Sequence, residues 1–124
     1  MNRKTRMIIH AKKVINLDYL TELAKGDTRF IKEMINLFLL ENPEEIKQLE
    51  KAIREHHFES IRSISHHMRS SILFVGLDLL IDRELSDIEK SAEEKAGIEN
   101  IETLFTIVKE VCVKALDELN SEAA

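Results

Sequence analysis

Tryptophan is absent from the 124 residues, proline, cysteine and tyrosine occur once each, and glycine three times. So few turn formers leave no room for the many tight hairpins of an all-β domain. The lone Cys112 excludes an internal disulfide. Its helical spacing from Val108, Val111 and Leu116 marks it as a core thiol rather than a reactive one. Positive charge is not in excess: 18 Lys and Arg against 23 Asp and Glu give a net charge of −5. That removes the general basic footprint of a nucleic-acid binder and favours a protein partner. The longest apolar stretch, Ile72 to Ile81, is interrupted by Asp78 and falls short of the roughly 20 residues a membrane helix needs. After the basic start Met1 to Arg6, the apolar piece ends at His10-Ala11-Lys12-Lys13, too short for a secretory signal. No membrane insertion and a cytoplasmic location are therefore expected. A glycine-rich phosphate loop is also missing, so a nucleotide-binding fold has no support.

What is present is helical. Hydrophobic residues make up 44% and charged residues 33% of the chain, the balance of one compact domain, and Leu, Ile, Glu and Lys favour helix. Residues 1–15 lack a clear cap and are expected as a flexible leader. Asn16 is placed to cap a short helix through Leu17, Leu20 and Leu23, with Gly26 to stop it. Asp27 then caps an arm over residues 28–56, bent at Pro43, where Asn42-Pro43-Glu44-Glu45 has the composition of a helix start. A helix from Phe58 to Val75 closes at Gly76. Leu77, Leu80, Ile81, Leu85, Ile88 and Ala92 define the next one, and Ile101 to Leu116 the last. The domain is placed at residues 16–120 and a frayed tail at 121–124. Short connections between long helices predict an all-α, antiparallel, up-down four-helix bundle with a short extra N-terminal helix.

Chemistry is sought among His10, His56, His57, His66 and His67. On the 58–75 helix the core stripe is Ile61, Ile64, Ser65, Met68, Ser71, Ile72 and Val75. At about 100° per residue, His66 points roughly 150° away from it, toward solvent. Arg62, Arg69 and Ser70 lie one turn away and Leu73 two turns on. An exposed imidazole between two guanidiniums and a small hydroxyl suits a phosphoryl group, since arginine matches phosphate oxygens. The same residues equally describe an inert solvated face, and periodicity does not decide between the two. His67 falls to the side, near Ser63 and Phe74, without a basic neighbour one turn away. A zinc site is disfavoured because His56-His57 and His66-His67 are adjacent pairs whose members diverge. A hydrolytic triad is disfavoured because the 58–75 helix supplies no acid to orient a histidine.

The run Ser65-His66-His67-Met68-Arg69-Ser70-Ser71-Ile72-Leu73-Phe74-Val75-Gly76-Leu77 resembles the signature of the histidine phosphotransfer (HPt) domain family. In that family the phosphorylated histidine is followed by an apolar residue at the second place, a basic one at the third, small residues at the fourth and fifth and glycine at the tenth. Met68, Arg69, Ser70, Ser71 and Gly76 occupy those places. Asp18-Tyr19-Leu20, Gly26-Asp27, Pro43, Phe58 and Leu85…Ile88-Glu89 extend the likeness over about residues 16–93. Three positions depart from the pattern: Ser70 stands where glycine is usual, Arg69 where lysine is commoner, and Leu77 where alanine is usual. The resemblance implies a phosphorelay intermediate in which His66, through Nε2, accepts a phosphoryl group from one response-regulator receiver aspartate and passes it to another. It also implies a hybrid histidine kinase and receiver domains as partners, Mg²⁺ held by the receiver, no cofactor, metal or ATP site in this chain, and a monomer. The attack needs a neutral imidazole and no further base. From another function class, a non-catalytic helical adaptor would use the apolar surplus of residues 30–40. Leu37, Leu40 and Leu73 are the candidate docking residues under either reading.

Overall fold

A computed structural model describes residues 13–123; residues 1–12, which hold most of the expected leader, and residue 124 lie outside the described residues. Five helices follow in order: α1 Asp18–Ala24, α2 Thr28–Arg54, α3 Phe58–Ser71, α4 Asp78–Glu93 and α5 Ile98–Ala123, with a 3-10 turn at Ile72–Val75 after α3. No strand occurs among the described residues. None of the described helices is long and apolar enough to cross a membrane.

The long helices form where apolar residues recur every three or four positions, and each buries that stripe. Ile61, Ser65, Met68 and Ile72 are wholly buried along α3 and its 3-10 extension, Ile81, Leu85 and Ile88 along α4, and Ile101, Val108, Val111, Cys112, Ala115 and Leu119 along α5. Ile64 and Ser71, expected on the α3 core stripe, are only half-buried. Burial of each large aliphatic side chain contributes about 1.5–3 kcal/mol. Packing is cyclic among the described residues: α2 rests on α3, α3 on α4, α4 on α5 and α5 on α2, and α1 lies against α2 and the 3-10 turn.

Several local expectations change. Asp27 caps α2 as expected, its carboxylate accepting the Phe30 N–H at 3.1 Å. Asn42, however, does not cap a new helix at Pro43. It sits buried within a continuous α2, its Nδ2 3.8 Å from Cys112 Sγ. The α1 helix starts beyond Leu17 rather than Asn16, whose side chain accepts the Asp18 N–H at 2.9 Å. Lys25 at φ 49° already takes the left-handed cap ahead of Gly26. The 58–75 segment changes to 3-10 geometry after Ser71, which tightens the chain before Gly76. Val14 and Ile15, assigned to the leader by sequence, belong to the packed domain. Val14 is buried, and both N–H groups donate to the Glu118 carboxylate at 2.9–3.1 Å. At the other end α5 continues through Ala123, past the acidic stretch where fraying was expected.

Gly76 is fixed by its surroundings. Its φ is 74°, in the left-handed region that glycine occupies without strain. The Asn16 N–H donates to the Val75 carbonyl at 2.9 Å. This brings Asn16 so close that a Cβ at Gly76 would overlap its carbonyl oxygen and come within 2.7 Å of its Cβ.

Candidate functional site

The α3 helix starts with an imidazole cap, His57 Nδ1 accepting the Ser60 N–H at 3.3 Å. With Ser65 and Met68 turned fully inward, the two residues between them are pushed outward on opposite flanks of the helix. The His66 side chain is 68% exposed and leans toward α4, where its Nδ1 lies 3.2 and 3.3 Å from the two oxygens of Glu89. The Glu89 side chain is largely covered, at 14% exposure. A carboxylate on one ring nitrogen selects the tautomer with the proton there. Nδ1–H donates to Glu89, and Nε2 keeps its lone pair with no partner among the described residues.

Arg69, one turn after the histidine, is tied down by the same helix. Its Nε donates to Asp82 Oδ1 at 3.0 Å, Nη2 to Asp82 Oδ2 at 3.5 Å and Nη1 to Glu89 Oε1 at 3.4 Å. The hydrogen bond to Asp82 is the main reason its pKa lies above the ordinary arginine value. Arg69 and Asp82 are each more than a third exposed, so the pair adds at most about 1 kcal/mol to stability. Its effect is geometric: Asp82 aims the guanidinium, the guanidinium braces Glu89, and Glu89 holds the ring.

His66, Arg69, Ser70 and Leu73 line one shallow cleft, completed from α4 by Asp78, Leu79 and Asp82. Four sequence-selected residues are thus brought together. Ser70 is exposed beside the ring, and Leu73 and Leu79, 39% and 89% exposed, form an apolar rim. Arg62 is half-buried and does not line this cleft. Leu37 and Leu40, 45% and 76% exposed on α2, do not line it either.

His67 leans the other way, toward α2, and its Nδ1 lies 2.5 Å from Glu45 Oε2. It is therefore anchored, although no basic residue accompanies it. Burial raises the Glu45 pKa, partly offset by the bond to His67. Each histidine has a carboxylate on Nδ1; only the His66 pair includes a guanidinium.

Glu89, Asp82 and Leu79 were missed as site residues because the periodicity of one helix says nothing about what its neighbour presents. A trace was legible: Asp78, Asp82 and Glu89 recur at four and seven positions along the edge of the apolar stripe Ile81, Leu85, Ile88 and Ala92. Cys112 is wholly buried, and burial pushes its thiol pKa up to about 12.

No family model, curated protein or solved structure matches this chain.

Proposed function

We propose that this chain is a histidine phosphotransfer protein, an up-down antiparallel four-helix bundle with α1 as the extra N-terminal helix, acting as a cytoplasmic, monomeric phosphorelay intermediate. The observation that carries the proposal is the His66 ring: exposed, anchored through Nδ1 to Glu89, and lining an apolar-rimmed cleft together with Arg69 and Ser70. In the forward step the Nε2 lone pair attacks the phosphorus of a receiver aspartyl phosphate. The N–P bond forms, the P–O bond to the aspartate breaks, and the carboxylate leaves with its electron pair. The second step reverses this on another receiver. A loose phosphoryl transition state asks mainly for alignment and charge compensation. Here the nucleophile is aligned by this chain, while the Mg²⁺ and acidic pocket belong to the receiver. The Nδ1–H bond to Glu89 compensates the positive charge that develops on the ring during attack. The protein has no kinase activity of its own in this scheme, and a hybrid histidine kinase stands upstream of it.

The test is incubation with a radiolabelled, phosphorylated receiver domain. Label on the chain that is acid-labile and alkali-stable is expected for a phosphoramidate. If no active receiver transfers label, the relay reading fails. The adaptor reading would then gain, supported by the exposed Leu37 and Leu40, which lie away from the His66 cleft.

A further inference from the structure

Along the outer side of α5, Glu99, Glu102, Thr106, Glu110, Val113 and Asp117 recur at three- and four-residue spacings, so they share one face of the helix. Val113, 54% exposed, interrupts this acidic stripe. A shallow cleft of about 770 Å³ runs over it, with Phe105, Glu110, Val113 and Asp117 in its lining and Glu50 of α2 at its edge. Both lysines of the cleft are already engaged: Lys109 donates to Glu50 at 2.8 Å and Lys114 pairs with Glu118 at 3.3 Å. Glu110 and Asp117 therefore line it without an ion-pair partner among the described residues.

The N-terminal segment enters the domain beside this cleft. The N–H groups of Val14 and Ile15 donate to the Glu118 carboxylate, which also holds Lys114 of the cleft wall. Ile9 precedes Val14 by the same number of positions as Val113 precedes Glu118. A chain advances about 1.5 Å per residue as a helix and about 3.3 Å when extended, so in either conformation Ile9 reaches the roughly 7.5 Å back along α5 to Val113. Composition matches the stripe. Arg3, Lys4 and Arg6 precede Met7-Ile8-Ile9, Lys12 follows, and residues 1–12 contain no Asp or Glu. The α5 face thus reads acid, valine, acid, and the segment that enters next to it reads base, apolar, base. Burial and charge favour the same contact.

We infer that the outer face of α5 is the docking surface for residues 3–12 of the same chain. Met7, Ile8 and Ile9 cover Val113, Lys12 meets Asp117, and the basic residues ahead of the apolar run meet Glu110, Glu102 and Glu99. The inference is independent of phosphoryl transfer at His66, because no residue of this face lines the His66 cleft.

Paramagnetic broadening in the full chain tests it, with a nitroxide attached at Thr5→Cys while the wholly buried Cys112 stays unlabelled. Amide broadening is expected to centre on residues 102–113 of α5 and to be weak at His66, Leu73 and Leu79. Val113→Asp, at a position exposed enough to leave the fold intact, and Asp117→Lys should each reduce that broadening at least about twofold. A mixture of isotope-labelled chains without nitroxide and unlabelled chains with it should show no such broadening, because the contact is made within one chain. The inference is overturned by broadening centred on another face or spread evenly over the domain, by undiminished broadening in both variants, or by broadening of the same strength in the mixture, which would assign the face to a second copy.

Discussion

Replacing Gly76 by alanine separates two costs that the structure assigns to one position. The first is conformational: at φ 74° an L-residue is in the left-handed region, at a cost of about 1–2 kcal/mol. The second is steric. The new Cβ overlaps Asn16, so residues 14–17 must retreat, and the Asn16 N–H loses the Val75 carbonyl 2.9 Å away. Loss of that bond costs about 1 kcal/mol, and loosening of Val14 and Leu17 against the core adds a comparable amount. The total is about 3–4 kcal/mol, or roughly 10–15 °C in Tm for a domain of this size. Gly97 is the control: its φ is 72°, but a Cβ there meets nothing nearer than 3.7 Å. Gly97→Ala should therefore lose only the conformational part, about 1 kcal/mol. Urea unfolding of both variants, followed by circular dichroism, measures the difference. Equal destabilisation would refute the account of Asn16 packed on Gly76.

Glu89→Gln should leave the melting temperature nearly unchanged but slow phosphoryl acceptance about three- to tenfold. It removes a charge-assisted bond at a mostly exposed ring, where screening limits the effect to about 1 kcal/mol; single-turnover transfer from a labelled receiver measures it, and an unchanged rate would show that His66 needs no anchor. Leu73→Asp and Leu79→Asp, both at exposed positions, should each weaken receiver binding in titration calorimetry with little change in helical content, while a large loss of stability for Leu73→Asp would contradict its placement on the cleft rim. Cys112 should resist thiol reagents at pH 8 in the native protein and react on unfolding. Its native thiol pKa, about 12 against an ordinary value of 9.0, also stabilises the fold below about pH 9, a contribution lost as pH rises toward 12; fast labelling of the folded chain at pH 8 would refute its burial.

The helices and the outward direction of His66 were legible because both depend on one helix's own period. The spacing of Ile61, Ser65, Met68 and Ile72 fixes the inward side of α3 and leaves His66 outside. What was not legible depends on contacts between elements. Arg69 reads as a free guanidinium until α4 brings Asp82 and Glu89 to it. His67 reads as unpartnered until α2 brings Glu45. The single arm expected over residues 28–56 is α2, but the helix-start composition of Asn42-Pro43 gave no sign that Asn42 is buried within it against α5, because that depends on tertiary packing. Val14 has no cap or periodicity to mark it, and its place is set by Glu118, 104 residues away in sequence.

Substitution of the two adjacent histidines tests the central claim most directly, since both are exposed and both have a carboxylate on Nδ1. Glutamine preserves polarity and approximate size but has no nucleophilic ring nitrogen. His66→Gln should abolish acid-labile labelling by a phosphorylated receiver while the circular dichroism spectrum stays that of the wild type, and His67→Gln should be labelled as the wild type is. Labelling that survives in His66→Gln and vanishes in His67→Gln would contradict the assignment of His66 as the phosphoacceptor.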